Sequence, residues 1–298
     1  MSGVAHVRAE VVSNRPVGVY RHLTLHAPAV AETARPGQFV ACSVGADASG
    51  LLLRRAFSLH RADPGAGTVE VVVAAHGPGT TWITQRSARD TLDVVGPLGR
   101  GFTVPTEPVP CVVVGGGYGS APLGWLAEAL GARGCRVDAV VGAGDVSRLF
   151  GHLDLRRSCA GVHVTTDDGS LGTRGRVTDV LPGVMAEHGT AVVYACGPMA
   201  MLRAVAAVAA RVDAVSQLAV EESMACGIGV CMTCVLPVVR ADGVTTMARS
   251  CVEGPVFSGD TLRWDAIGAG GPDGDTGSAV PADCLGAPLS PSMTGARA

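Results

Sequence analysis

Hydrophobic and polar residues alternate in short runs through the first hundred positions of the chain. Apolar residues at every second position are typical of β-strands with one buried face. Six such runs, separated by turns that contain Gly or Pro, lie between His6 and Val104, and only TTWITQRSA at 80–88 has a helical pattern. Six short strands are typical of a small antiparallel barrel. We therefore predict a six-stranded antiparallel β-barrel over residues 1–105.

The pattern changes after a proline-rich joint, VPTEPVP, at residues 104–110. Continuous apolar runs then alternate with Ala- and Leu-rich stretches of helical periodicity, which predicts a mostly parallel, Rossmann-like sheet with helices on both faces over residues 109–217. A small cysteine-rich domain is predicted at 218–265. Residues 266–298 are rich in Gly, Ala, Pro and Ser without periodicity, which predicts a disordered tail. The expected fold class is a β-barrel plus an α/β domain.

Composition excludes several functions. The net charge of −3 provides no basic surface for nucleic acid. All 23 basic side chains are arginine, which excludes a Schiff-base lysine and the lysine of a Walker loop. The first residues lack the apolar core of a signal peptide, and the most apolar helix candidate, between Ala200 and Ala219, is interrupted by charges. We expect a cytoplasmic protein without a membrane segment or a nucleic-acid partner.

Four of the ten cysteines lie close together near the C-terminal end, with the spacing C-x4-C-x2-C-x16-C. They are Cys226, Cys231, Cys234 and Cys251. The first three have the spacing of plant-type 2Fe-2S ligands, and Gly227 and Gly229 would let backbone N–H groups approach the sulfurs. Structural zinc also takes four cysteines but usually pairs two C-x2-C units. The spacing favours an iron–sulfur cluster over zinc.

Glycines crowd the turn after the first strand of the α/β region. They are Gly115, Gly116, Gly117 and Gly119, in VVVGGGYGSAPL. Backbone without side chains can approach a pyrophosphate at the start of a helix, although a tight turn without a ligand has the same pattern. A later strand ends in a second motif, formed by Cys196, Gly197 and Pro198. Ligands of open α/β sheets bind at this edge, so the two motifs predict a nucleotide site.

Two carboxylates, Asp167 and Asp168, end another strand of the predicted sheet. A carboxylate at this place, with Asp168 as the candidate, could accept a hydrogen bond from a ribose 2′-OH, which favours NAD over NADP. The alternative is that the pair only forms a turn, because Asp-Gly sequences are common in turns.

The barrel offers a second group of candidate residues, in the strand RRAFSL. Arg55 provides a cation for a diphosphate, Phe57 an aromatic ring and Ser58 a hydroxyl, and alternation puts Arg55 and Phe57 on one face. A core Phe beside a surface Arg is the alternative. Gly79 and Thr80 begin the predicted helix, where a phosphate could meet backbone N–H groups.

These motifs together resemble a known family. The barrel with Arg-x-Phe-Ser and the Gly-rich domain ending in Cys-Gly-Pro resemble the ferredoxin-NADP reductase superfamily. With MACGIGVCMTC and RSCVEGPVF added, residues 5–262 resemble the electron-transfer subunits of class 1B dihydroorotate dehydrogenases.

The resemblance implies FAD on the barrel, NAD on the second domain, and a 2Fe-2S cluster that passes electrons to or from a separate FMN-containing subunit in a heterotetramer. It also implies roles for individual positions. The two flavin strands would be formed by Arg55, Ala56, Phe57 and Ser58, and by Val72, Val73 and Ala74. The family commonly has an aromatic residue and an arginine where Val73 and Ala74 stand. Gly79 and Thr80 would bind the FAD diphosphate, Ser58 would lie near the flavin N5, and Cys196 near the nicotinamide.

The chemistry agrees with this set of cofactors. NADH delivers two electrons as a hydride, whereas a 2Fe-2S cluster accepts one at a time, so a flavin is needed between them. Two alternatives stay open at this point. One is an NADH-dependent reductase that serves another oxidoreductase, and the other is an iron–sulfur redox sensor without flavin.

Overall fold

The structure is a computed structural model that describes residues 3–45 and 50–267. Its N-terminal strands are β1 (Ala5–Val17), β2 (Tyr20–His26), β3 (Phe39–Cys42), β4 (Arg55–Asp63), β5 (Thr68–Val73) and β6 (Thr91–Leu98). They close into an antiparallel barrel in the order β1-β2-β5-β4-β3-β6. Two short helices, α1 (Pro28–Ala31) and α2 (Pro78–Thr84), connect them. The predicted six-stranded barrel is confirmed.

Alternation along the strands builds the barrel core. Leu23 and Leu25 on β2, and Val69 and Val71 on β5, point inward and are buried. Each such side chain contributes about 1.5–3 kcal/mol on removal from water. The residues between them face outward, so the outer wall of the barrel is available for contacts with the rest of the chain.

The second part of the chain forms a parallel sheet. Its strands are β7 (Cys111–Gly116), β8 (Val137–Ala143), β9 (Gly161–Thr166), β10 (Thr173–Arg174), β11 (Val192–Cys196) and β12 (Val215–Ala219), in the order β10-β9-β8-β7-β11-β12. One face is covered by α3 (Leu123–Gly131) and α4 (His152–Ser158). The other is covered by α5 (Val177–His188) and α6 (Met199–Ala210). The predicted parallel sheet with helices on both faces is therefore confirmed.

The cysteine-rich segment joins both preceding parts. Strands β13 (Val235–Val239) and β14 (Thr245–Arg249) form an antiparallel ribbon, and β15 (Val256–Ser258) pairs antiparallel with β12. The sheet thus has seven strands, of which the sequence pattern did not predict β10 and β15, because two or three residues are too few for a periodic signal. The predicted domain boundary at 217/218 falls inside strand β12 and stays a prediction.

The C-terminal end of the described chain packs against the sheet. Ala266 is buried and Ile267 contacts the same core cluster as α5 and α6. The predicted tail therefore does not begin at 266, and its remainder from 268 onward lies outside the described residues. In the part of the chain that is described, every helix is too short or too polar to cross a membrane.

Candidate functional site

A cleft of about 920 Å³ lies between the barrel and the carboxyl ends of the parallel strands. The barrel contributes Tyr20 and the segment after β5, and the sheet contributes the turns after β7, β8, β9 and β11. The strand order reverses between β7 and β11, which is the switch point where open α/β sheets bind their ligands. The cleft is thus placed where a nucleotide is expected.

The four predicted glycines after β7 divide into two pairs. Gly116 and Gly117 line the cleft, and Gly117 has a φ of +56° that favours glycine. Gly115 and Gly119 are buried. A Cβ at Gly119 would lie 2.7 Å from the carbonyl oxygen of Cys196. The second pair is therefore explained by packing of protein against protein, and only the first pair lines the cleft.

The Cys-Gly-Pro motif lies directly behind this turn. Pro198 lines the cleft, and a Cβ at Gly197 would lie 3.1 Å from the Cα of Gly116. The thiol of Cys196 is only 3% exposed, and burial raises its pKa. Cys196 is a neutral thiol in the core behind the cleft, and it is not among the residues that line it. Its environment agrees with the alternative of a buried strand-end thiol.

The two aspartates after β9 differ in position. Asp167 lines the cleft. Asp168 is exposed and accepts a hydrogen bond from the N–H of Ser170 at 2.9 Å, and its hydrogen bonds to Ser170 lower its pKa. The structure therefore brings Asp167 to the cleft, whereas Asp168, the residue selected from the sequence, holds the turn.

Three of the predicted FAD residues meet at the start of α2. The guanidinium of Arg55 lies against Gly79, where a Cβ would stand 2.9 Å from Arg55 Nε. Thr80 Oγ1 accepts hydrogen bonds from the N–H groups of His76 and Gly77, at 2.9 and 3.1 Å. The guanidinium of Arg55 and the N-terminus of α2, where Gly79 has no side chain, together form a site that fits a diphosphate.

The side chains of the two predicted flavin strands point to different places. Ala56 and Ser58 are exposed on the outer wall of the barrel. Phe57 and Val73 are in the barrel core, so their side chains are not available to a cofactor outside it. Val72 packs with Tyr20 between the barrel and the sheet, and Ala74 lines the cleft. The alternative of a core Phe agrees with the position of Phe57.

Sequence reasoning missed Glu221, which follows β12 and lines the cleft. Burial raises the pKa of its carboxyl. Besides burial, the negative charge of Glu221 also helps to raise the pKa of the neighbouring Cys196 and Tyr118. The signal in the sequence is a carboxylate at the end of a buried strand, in QLAVEE, which is unusual because buried strands rarely end in an unpaired acid.

The four cysteines of the C-terminal motif come together in two pairs. Cys226 and Cys231 are within hydrogen-bonding reach of each other, and so are Cys234 and Cys251. The charge of Cys226 also acts on Cys251. These four thiols provide the number and type of ligands that a 2Fe-2S cluster requires.

Backbone geometry shapes the loop that carries the first three cysteines. Gly227 and Gly229 have φ angles of +72° and +85°. Burial acts to raise the pKa of Cys226, but hydrogen bonds from loop N–H groups outweigh it and lower the pKa. One of these runs from Val230 N–H to Cys226 Sγ at 3.3 Å. Hydrogen bonds from Thr233 lower the pKa of Cys231 to about 6. Such donors stabilise thiolates, the form that binds metal.

The inner cysteines rest on the barrel wall. Cys234 and Cys251 pack with Phe39, Ala41 and Leu98 of β3 and β6. Arg249 fastens the loop, because its Nη1 donates to the Gly229 carbonyl at 3.0 Å and its guanidinium pairs with Glu253 at 2.5 Å. The residues present therefore fit a 2Fe-2S cluster.

Comparison with known proteins agrees with this geometry. Residues 221–263 match the family model described as the iron-sulfur cluster binding domain of dihydroorotate dehydrogenase B. The chain is 39% identical over 257 residues to the dihydroorotate dehydrogenase B (NAD(+)) electron transfer subunit of Geobacillus kaustophilus, with 85% of this chain and 97% of that protein covered. The corresponding subunit of Desulforamulus reducens is 34% identical over 244 residues, covering 82% and 92%.

The chain belongs to the family of dihydroorotate dehydrogenase B electron transfer subunits. Among solved structures, the NADH-dependent reduced ferredoxin-NADP oxidoreductase described for flavin-based electron bifurcation superposes with a TM-score of 0.78 at 28% identity, covering 89% of this chain and 92% of that one. The resemblance predicted from the motifs is confirmed, and the family model favours iron–sulfur over zinc.

Proposed function

We propose that this chain passes electrons between NAD(H) and a separate catalytic subunit that oxidises dihydroorotate, through FAD and a 2Fe-2S cluster. The observation that carries this proposal is that Cys234 and Cys251, two of the four clustered cysteines, pack on β3 and β6 of the same barrel whose candidate flavin strand, β4, pairs with β3. One chain would thus hold a flavin, which exchanges two electrons, close to a 2Fe-2S cluster, which exchanges one. Family membership supports the same oxidoreductase function.

The barrel residues would hold FAD, which takes up an electron pair and releases electrons singly. Arg55 and the start of α2 at Gly79 and Thr80 would bind the diphosphate. Ala56 and Ser58 are exposed on β4 and would face the flavin ring. Val72 on the next strand and Ala74 just after it offer small apolar surfaces, and the family commonly has an aromatic residue and an arginine at the positions of Val73 and Ala74.

The cleft would hold NAD. Backbone at Gly116 and Gly117 would approach the pyrophosphate, and Arg148 and Arg176, which also line the cleft, supply positive charge. Asp167 would accept a hydrogen bond from a ribose hydroxyl. Cys196 would act only through packing, because its thiol is buried behind Gly119.

Glu221 would hold a proton at the inner end of the cleft. A carboxyl with a raised pKa remains protonated nearer to neutral pH than an exposed one, so it can donate a hydrogen bond without placing a negative charge beside the nucleotide. We assign it the role of a proton-holding group during hydride exchange.

The catalytic subunit would dock over the cysteine loop. Ile228, Val230 and Met232 surround the cysteines and are 55%, 74% and 51% exposed. Three adjacent exposed apolar side chains mark an interaction surface. We propose that the partner is an FMN-containing subunit and that two such pairs form a heterotetramer. The nine described cysteines are all free thiols, which supports work in the reducing cytoplasm.

The test is anaerobic purification with spectra, iron and flavin content, and titration with NADH. We expect one FAD and two irons per chain, flavin bands that bleach with NADH, and dihydroorotate-dependent NAD reduction after co-expression with an FMN-containing dihydroorotate dehydrogenase subunit. Iron without flavin would contradict the proposal. So would stoichiometric zinc at the cysteines.

A second candidate is a reductase with another electron acceptor. It is favoured by the similarity to a reduced ferredoxin-NADP oxidoreductase, whose architecture is shared over 89% of this chain. NADH-dependent reduction of a ferredoxin, without activity alongside the dihydroorotate-oxidising subunit, would favour this candidate.

A further inference from the structure

Two histidines and a glutamate meet on the outer wall of the barrel, apart from the residues assigned to FAD, NAD and the cluster. His22 lies on β2, His60 on β4 and Glu70 on β5, and these strands are neighbours. One ligand atom from each side chain lies within 4.8 Å of the other two. His22 Nε2 is 2.8 Å from a Glu70 carboxylate oxygen.

The local backbone explains why the three side chains converge. Glu70 is opposite Thr24 on β2, so His22 is its diagonal neighbour on the same face. On β4, the register shifts between Leu59 and Arg61. This β-bulge turns His60 and Arg61 outward together, between the inward-facing Leu59 and Ala62. Bulges commonly re-aim a side chain in this way.

The surroundings hold the imidazoles in fixed orientations. His60 Nδ1 is 2.5 Å from the carbonyl oxygen of Ala121, just before α3. The Nδ1–H donates there, which leaves Nε2 with a free lone pair. The ring of His60 also packs edge-on against His22 and against Phe150, at 5.1 and 5.6 Å between centroids. Metal-binding histidines typically donate their second N–H to a backbone carbonyl in this way.

The group formed by His22, His60 and Glu70 is largely shielded from water, but other charged side chains act on it. The side chains of His22 and Glu70 are 13% and 22% exposed. The charge of Arg61 acts on Glu70, and the charge of Asp154 acts on His60. Arg61 is engaged by Glu128 of α3, which leaves the Glu70 carboxylate with the two imidazoles as its near partners.

We propose that His22, His60 and Glu70 form a binding site for a divalent transition-metal ion, of which Zn²⁺ fits best. Two imidazole nitrogens and one carboxylate oxygen are a ligand set that zinc accepts in tetrahedral geometry, with water at the fourth position. Mg²⁺ and Ca²⁺ prefer oxygen ligands throughout. The ion would join three barrel strands, and through His60 and Ala121 it would connect the barrel to the sheet beside the nucleotide cleft.

The test uses the full chain with its FAD and 2Fe-2S cluster in place, incubated with Zn²⁺ and then desalted. We expect one zinc per chain in addition to the cluster iron. Zinc K-edge absorption should show nitrogen and oxygen neighbours at about 2.0–2.1 Å and no sulfur shell at about 2.3 Å. A sulfur shell, or no retained zinc, overturns the proposal.

Matched variants assign the ligands. His60→Asn keeps a donor at the Nδ1 position for Ala121 but removes Nε2, and should weaken zinc binding by more than about 10-fold, since even outer-shell partners are worth 10–100-fold. His26 is an exposed histidine on the same strand as His22. The control variant His26→Asn should therefore bind zinc like the wild type. Equal binding by His60→Asn and the wild type overturns the proposal. If His60→Asn does not fold, Glu70→Gln replaces it, and the absorption spectrum of the wild type decides independently.

Discussion

The cysteine loop and the nucleotide cleft are assembled in opposite ways. Three of the proposed cluster ligands lie within nine residues, Cys226 to Cys234, and the fourth follows a short ribbon. The cleft instead takes residues from Val19 to Glu221, supplied by the barrel and by the segments after β7, β8, β9, β11 and β12 of the sheet. A site in one segment depends mainly on spacing, whereas a site made of distant segments depends on the whole fold.

Cysteine itself shows the difference in environment. Hydrogen bonds from Thr233 lower the pKa of Cys231 in the loop to about 6. Burial raises the pKa of Cys42, Cys111 and Cys159 to about 12, and raises that of Cys196 behind the cleft as well. Burial also raises the pKa of Cys251 to about 12, so the metal itself would have to deprotonate this ligand. The same side chain is thus suited to bind a metal in one setting and to pack as a small core residue in another.

The largest effect is expected from loss of one loop cysteine. Cys231→Ala removes one of four thiolates, and we expect near-complete loss of cluster iron while NADH still reduces the flavin, because the cleft is a separate site. Iron content and anaerobic NADH titration measure the two. Cys159 is a half-buried cysteine outside the loop. The control variant Cys159→Ala should therefore keep the iron of the cluster. Full iron in Cys231→Ala would show that the loop does not hold the cluster.

Glu221→Gln tests the cleft. We expect the variant to reduce flavin with NADH at a rate close to that of the wild type at low pH, because the Gln amide is neutral and can also donate a hydrogen bond. The wild-type rate should fall as pH rises through the raised pKa of Glu221, because the carboxyl loses its proton, and the variant should lack this dependence. Stopped-flow measurements across pH provide the test, with Glu222→Gln as the control. An unchanged pH profile would remove Glu221 from the proposed role.

Gly119→Ala tests whether packing, and not a ligand, requires that glycine. The added Cβ would lie 2.7 Å from the backbone at Cys196 and Gly197, and backbone cannot move aside easily. We expect a loss of about 1–3 kcal/mol in the free energy of unfolding. Gly124→Ala on α3 is the matched control, because nothing lies within 4 Å of its Cβ position; it should be neutral or stabilise by up to about 1 kcal/mol. Denaturant unfolding of both variants measures the difference, and equal stability would contradict the packing explanation.

Arg249→Gln should have the smallest effect on stability. Its ion pair with Glu253 is about one-third exposed on both sides, so solvent screens it and we expect only a small loss in the free energy of unfolding. The hydrogen bond from Arg249 lowers the pKa of Glu253, so the pair's contribution is present above the ordinary carboxyl pKa and is lost as pH falls through the lowered value.

The same variant should also lower the reduction potential of the cluster, because a positive charge near Cys234 and Cys251 is removed. Redox titration followed by EPR measures this shift. Arg240→Gln, on an exposed pair after β13, should leave the potential unchanged. A potential that does not move in Arg249→Gln would show that this guanidinium only fastens the loop.

Much of the architecture could be predicted from periodicity. Alternation of period two gave the barrel, and long apolar runs between helical stretches gave the parallel sheet. The three-residue strand β15 was missed, because it is too short to have a period and its place beside β12 depends on a contact between distant segments. The position of Phe57 stayed open between core and cofactor face for a related reason: alternation fixes which residues share a face, but not which face is the core.

Spacing alone determined the chemistry of the cysteine loop, because ligands close in sequence can reach one metal centre in almost any fold that accommodates the loop. Only the tertiary structure decided which residues form the cleft. It brought Asp167 rather than Asp168 to the edge of the sheet, buried Cys196, and placed Glu221 beside it. It also gathered His22, His60 and Glu70 from three strands. Contacts of this kind depend on strand order, register and a single bulge, and these arise from packing between segments far apart in the chain.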